Sequence, residues 1–289
     1  MNQPLPVTVH TQPAGRSGRL ALGLRRAPDG RSFIDRQHAT YPFHICRPLY
    51  YGGDPNGMAT LYLQSIAGGV FEHDRLAMAL AVGPGAALHL TSQGATIVHA
   101  MTGGRARLAS TVTAGAGAVA ELLPEATILF PGADLETRTE VVADETAVVL
   151  VGESFIAHDP SGNGAPFGRL LTEVSFRTPD GRLLACDRQA TSGAAFRALA
   201  AAGSRRFEAY AGIQLWAPRR DGTALLAACT GSAGVPDGVY FGASPLPHGC
   251  GIGMRILAAD GASLKATIAI LWRSLRRGLF EADPAPRRK

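Results

Sequence analysis

Lysine is nearly absent from this 289-residue chain, standing only at Lys265 and Lys289 although Lys and Arg together number 28. The net charge of +5 is therefore carried by arginine, and the arginines are scattered instead of interleaved with aromatics. A surface that tracks a phosphate backbone concentrates its basic groups, so nucleic acid is not the expected partner. Cysteine is sparse as well. Cys46, Cys186, Cys229 and Cys250 lie far apart and form no CxxC pair. Zinc-ribbon and thioredoxin motifs are thereby excluded, and buried free thiols are the expectation. Long apolar runs are missing too. None approaches the roughly 18 residues of a membrane span, and Pro4, Pro6, His10 and Pro13 break the N-terminus where a signal peptide needs an unbroken apolar stretch. The expectation is a soluble, cytoplasmic protein.

Catalytic signatures are also lacking. There is no GxxxxGK[ST] loop, HExxH, GxSxG elbow or GxGxxG between a strand and a helix. VGPGA and TAGAGA carry neither the lysine nor the following helix that phosphate binding needs, so they read as turns.

What is present is apolar residue (46%) cut into short pieces by 35 glycines and 19 prolines, a pattern that favours many short strands. Aligning Val82, Val112 and Val142, each 30 residues apart, brings VGPGAALHLT, VTAGAGAVAE and VADETAVVLV into correspondence. Each follows an alternating run, so the unit reads as strand, tight turn, strand. GATIV at Gly94 and EATIL at Glu125 echo one another with an offset of 31. Similar units of this length bury their apolar faces by stacking. The expectation is a mainly β fold, with a layered, solenoid-like core from about Thr60 to Val151.

Two helices are expected beyond it. SGAAFRALAAAG opens on capping Ser192, and SLKATIAILWRSLRRGLF from Ser263 puts Leu264, Ile268, Leu271, Leu275 and Leu279 on one stripe, which covers one face of a helix that Gly278 is expected to end. TPDGRLL from Thr178 is a hairpin signature, and DPSGNGAPFG from Asp159 reads as a surface loop, not a linker. One domain over 1–289 is expected, with an N-terminal segment and a tail from Glu281 outside its core.

Few residues suggest chemistry. Glu72, His73 and Asp74 form a polar cluster, but neighbours on a strand point to opposite faces and cannot all hold one ion. A solvated loop is the alternative. His99 and His158 are further donors, and His248 with Cys250 would share a face if extended.

The segments RPLY (Arg47–Tyr50), LYLQSIAGGVFEHDRL (Leu61–Leu76), VGPGAALHLTSQGAT (Val82–Thr96) and ELLPEATILFPGA (Glu121–Ala133), followed by WRSLRR (Trp272–Arg277), occur in an order that resembles the UreD (UreH) family of urease accessory proteins. Departures fall at Val70–His73, at Ile97, His99 and Ala100, and in the loop leading to Gly168 and Arg169.

The resemblance implies a non-enzymatic scaffold that joins UreF and the GTPase UreG to apo-urease and helps nickel move through an internal channel. A dimeric assembly within that complex is compatible with it. Asp74, Glu121 and Glu153 match acidic positions of the family and, with neighbouring His73, are the candidates for transient nickel contact. No tightly bound cofactor is expected. The competing readings are a β-rich binding or scaffold protein unconnected with urease, and a metal-dependent hydrolase, which would need a closed ligand set.

Overall fold

The structure, a computed structural model, describes residues 15–201 and 206–286. The expected N-terminal segment thus lies largely outside the described residues, as does the end of the tail. Two sheets face one another. In chain order the strands are β1 (Ser17–Arg26), β2 (Ser32–Ala39), β3 (Phe43–Ile45), β4 (Ala59–Ser65), β5 (Arg75–Val82), β6 (Ala87–Ser92), β7 (Thr96–Val98), β8 (Ala106–Ala114) and β9 (Val119–Leu122). There follow β10 (Thr127–Leu129), β11 (Asp134–Ala143), β12 (Val148–Ala157), β13 (Arg169–Arg177), β14 (Leu183–Ser192), β15 (Ala209–Trp216), β16 (Val239–Pro245) and β17 (Gly251–Ala258). The helices are α1 (Gly193–Ala201), α2 (Gly222–Thr230) and α3 (Gly261–Phe280).

The first sheet has the order β14-β13-β11-β8-β5-β1-β2, parallel from β1 to β13 and closed by an antiparallel strand at each end. The second runs β16-β17-β15-β12-β9-β6-β4-β3, with β4, β6, β9 and β12 parallel. Between β4 and β13 the chain therefore climbs as coils, visiting the second sheet, then the first, once per coil. On a third side β7 pairs with β10, and β10 with the end of β12, all parallel. The expected stacked core is what the chain forms.

Its units are not hairpins. The strands on either side of each tight turn belong to different sheets, so VGPGA and its counterparts are corners. Gly85 and Gly117 take φ of 65° and 63° there, a conformation that a Cβ disfavours. The ladder rows correct the uniform 30-residue spacing. Val82 lies beside Ala114 and Ala114 beside Ala143, intervals of 32 and 29 residues read from the paired numbers. Val112 pairs instead with Leu80 and Val141, so an alignment of Val112 with Val142 is off by one row and reverses the face. The offset of 31 between Thr96–Val98 and Thr127–Leu129 is the observed register.

The inner faces carry the main core. Leu22, Leu80, Val112, Val141 and Phe176 of the first sheet meet Leu61, Leu88, Ala120 and Val149 of the second. The outer face of the second sheet is covered by α2 and α3, whose Leu225, Leu264, Leu271, Leu275 and Leu279 pack on Leu150, Ile213, Ile252 and Met254.

The helices partly depart from expectation. Ser192 caps α1 as expected, its Oγ accepting from the Ala195 amide at 3.1 Å. In α3 the cap is Asp260, which accepts from the Ser263 amide at 2.7 Å, and Gly278 lies inside the helix. A Cβ at Gly278 would sit 3.0 Å from Leu225 of α2, so this glycine permits helix contact instead of ending the helix. The unexpected α2 is capped by Asp221 through the amides of Thr223 and Ala224. The hairpin at Asp180-Gly181 joins β13 to β14, and residues 158–168 form the expected loop. Only Cys229 and Cys250 are buried; Cys46 is partly so and Cys186 is exposed, because it faces outward on the edge strand β14.

Leu275 is fully buried in the layer between α3 and the sheet. Leu275→Asp should lower unfolding free energy by more than about 3 kcal/mol, since an unpaired carboxylate would enter an apolar site. Ile268→Asp, at a partly buried position of the same stripe, should cost distinctly less. Denaturant titration of both variants checks the difference.

Candidate functional site

A cavity of about 630 Å³ lies between the inner faces of the two sheets, reaching from Phe43 and Gln64 on β3 and β4 to Asp187 and Gln214 on β14 and β15. The room arises from small polar residues where the rows would otherwise carry aliphatic ones. Met78, Ser110, Thr139 and Val174 form one row of the first sheet, and Leu76, Leu108, Thr137 and Thr172 the next. Gly152 on β12 and Gly212 on β15 thin the opposite wall. The carboxylates in the lining are Glu125, Glu153 and Asp187. Arg138 also borders it, but alternates with Thr137 and Thr139, and its side chain is exposed and paired with Glu136 at 2.9 Å.

Glu153 is the sole one of the four sequence candidates in this lining. Its Oε1 accepts from the hydroxyls of Thr137 at 3.2 Å and Thr139 at 3.3 Å. Burial pushes its carboxyl up to about 7, the two threonine hydrogen bonds oppose the rise, and the charge of Asp187 adds to it. Asp187 itself accepts from Gln214 Nε2 at 2.9 Å and pairs with Arg255. Gln214 is buried, and its Oε1 has no hydrogen-bond partner among the described residues. Tyr210 completes this end, its phenol raised to about 12 by burial.

Glu121 lies on the opposite face of the second sheet. In β9 it alternates with the inward Ala120 and Leu122 and faces α3. Its Oε2 is 2.7 Å from Nδ1 of His89, and Arg276 donates to both carboxylate oxygens, from Nε at 2.5 Å and Nη2 at 2.9 Å. Arg276 also reaches Asp54 at 3.3 Å, while His89 stacks on Trp272. Burial alone would raise the Glu121 carboxyl; His89 and Arg276 overcome it and hold it at about 2. This buried network ties β6 and β9 to α3.

Asp74 is engaged elsewhere. It accepts from the backbone and side chain of Arg16 and from the amide of Phe71 at 2.9 Å, tying the start of β1 to the bend before β5. Burial opposes ionisation there, and the Arg16 hydrogen bonds win, leaving the carboxyl below its ordinary range. His73 has φ of 64° and its ring lies 4.0 Å from Glu72, which is itself held by the amides of Thr102, Gly103 and Gly104. The four candidates are therefore not brought together.

The remaining donors are dispersed as well. His99 stacks on Phe71 and bonds the Gly68 carbonyl at 2.9 Å, and His158 packs near Phe130. His248 is exposed while Cys250 is buried in the core, so they do not form a pair. Among the described residues no group of three or more His, Cys, Asp or Glu is arranged to hold a metal ion, and no helix is long and apolar enough to cross a membrane. Sequence reasoning missed Asp187 and Gln214. The available signal was alternation in β14, which sends Ala185, Asp187 and Gln189 to one face.

Fold and cavity together define a stacked-coil β protein with a chamber between its sheets, whose lining includes the carboxyl groups of Glu125, Glu153 and Asp187. Residues 16–289 match the family model described as UreD urease accessory protein. The chain is 38% identical over 290 residues to urease accessory protein UreD 1 of Methylorubrum extorquens (strain PA1), covering 99% of this chain and 97% of that protein. It is 35% identical to UreD 1 of Pseudomonas syringae pv. tomato over 93% and 94% of the two chains, and 26% identical to UreD of Photorhabdus laumondii over 92% and 84%. This chain belongs to the UreD family of urease accessory proteins. A β-rich scaffold unconnected with urease is thereby set aside.

Two expected outcomes test the contrast between the acids. Arg276→Met leaves Glu121 buried beside His89 without its strongest cation, and should cost about 3–5 kcal/mol; adding Glu121→Gln should restore part of it, as chemical denaturation would show. Glu153 behaves oppositely. Its carboxyl is raised from an ordinary 4.5 to about 7, so the folded state holds the proton more firmly and stability falls as pH rises from 4.5 through 7. Glu153→Gln should remove that decline, up to roughly 3 kcal/mol by pH 8, measurable as a flatter stability curve against pH.

Proposed function

We propose that this protein is a non-catalytic scaffold of urease maturation that joins UreF and UreG to apo-urease in the cytoplasm and lets nickel pass through the chamber between its sheets. The observation that carries the reading is the chamber itself. It borders strands at both ends of the stack, and its inward charged groups are carboxylates. Oxygen donors suit a cation in transit because they hold nickel less firmly than a cage of imidazoles and thiolates.

Glu153 is the central transit residue in this proposal, flanked by Asp187 and by Gln214, whose Oε1 has no hydrogen-bond partner among the described residues. A cation arriving at Glu153 displaces its proton, so capture strengthens as pH rises through about 7. Asp74 and Glu121, whose oxygens are occupied by Arg16 and by His89 with Arg276, support the walls. His73 stands outside the chamber lining.

Glu153→Ala should reduce nickel per urease active site while the accessory complex still assembles. Glu153→Ala with Asp187→Asn should reduce it further, because neighbouring carboxylates can substitute for one another. The comparison holds the amount of assembled complex equal and measures nickel by elemental analysis beside urease activity. Normal nickel loading by both variants would remove the chamber from the reaction.

A further inference from the structure

We infer that Arg255 is a latch on the chamber, holding the lining carboxylate of Asp187 against entering divalent cations until the guanidinium is displaced. The inference deepens the transit reading above and rests on it for the identity of the cation.

The first sheet ends at β14, whereas the second continues past β12 into β15 and β17. Asp187 on that edge strand spans the gap. One of its oxygens accepts from Gln214 of β15 and the other from Arg255 of β17, so both are occupied by groups of the opposite sheet. The pair stands at a boundary between chamber and solvent. Asp187 lines the chamber with 23% of its side chain exposed, while Arg255 borders it from outside with 57% exposed.

Those exposures decide the chemistry. An ion pair open to water is weak, since solvent and salt compete with it. A divalent cation brings twice the charge of the guanidinium to the same carboxylate and finds further oxygen behind it. Gln214, 3% exposed and part of the lining, keeps a buried Oε1 without a hydrogen-bond partner among the described residues, and Glu153 interacts electrostatically with Asp187. With Arg255 in place this end is charge-neutral at its rim; with Arg255 released it presents the Asp187 carboxylate, backed by the buried amide of Gln214. The arrangement recurs elsewhere on the lining. Glu125 is 19% exposed and bonded at 3.1 Å to Lys265 of α3, itself 65% exposed.

Carbodiimide-driven amidation of the full-length protein, read residue by residue by mass spectrometry, measures the rim directly. Wild type, Arg255→Gln and Arg255→Lys are compared with and without added Ni2+ alone, after thermal melts confirm that each is folded. Asp187 should be modified severalfold faster in Arg255→Gln and near the wild-type rate in Arg255→Lys, because closure depends on the positive charge. Ni2+ should protect Asp187 and Glu153 at a lower concentration in Arg255→Gln than in wild type. Equal Asp187 modification in wild type and Arg255→Gln overturns the latch. Faster modification with no Ni2+ protection in any of the three supports closure by Arg255 and overturns nickel as the cargo.

Discussion

Everything in this molecule depends on the corners at which the chain leaves one sheet for the other. Because the turns after β5, β8 and β11 of the first sheet deliver β6, β9 and β12 to the second, both sheets grow together and their inner faces stay opposed. The corners are themselves stacked by hydrogen bonds, the Gly85 amide donating to the Ala116 carbonyl and the Gly117 amide to the Thr146 hydroxyl. Rows rise by 32 and then 29 residues because the connecting segments differ in length, while the ladder keeps alternate side chains inward. A one-residue slip in any coil would expose its core face, so the tolerance for variation lies in the bends.

That geometry gives two carboxylates of one sheet opposite fates. Glu121 points outward from β9 into α3 and meets a cation and an imidazole, which repay its desolvation and make it a fastening. Glu153 points inward from β12 to threonine hydroxyls and another acid, and retains its proton near neutrality. One acid is held ionised by its partners, while the other is held toward its protonated form by burial.

Much of this architecture was legible in the chain. Corner glycines, alternating strands, the GATIV and EATIL echo and the leucine stripe of α3 are local patterns, and each corresponds to an observed element. The exact rows were not, because valine fills either face of a buried strand equally well and coil length varies. The short α2 escaped notice, since its sequence of alanine, leucine and threonine carries little stripe and only Asp221 marks its start. Among the candidate residues Glu153 was reached through the family resemblance, whereas Asp187 and Gln214 belong to no motif. Their meeting is a product of the edge of one sheet overlapping the strands of the other, a relation between residues 27 apart that no periodicity encodes.

The antiparallel strands at the margins also set a limit on the stack. Parallel coils present at each end the same unsatisfied backbone edge, which could add a further coil from another molecule indefinitely. Here β2 and β14 reverse direction at the margins of the first sheet, and charged Asp35, Arg36, Asp187 and Arg188 occupy them. On the second sheet the margin is a three-residue β3 at one side and β16, ending in Pro245, at the other. A fold whose repeating part is suited to fibre growth is thus closed to a finite particle, and polymerisation is discouraged by the same terminal strands that complete its walls.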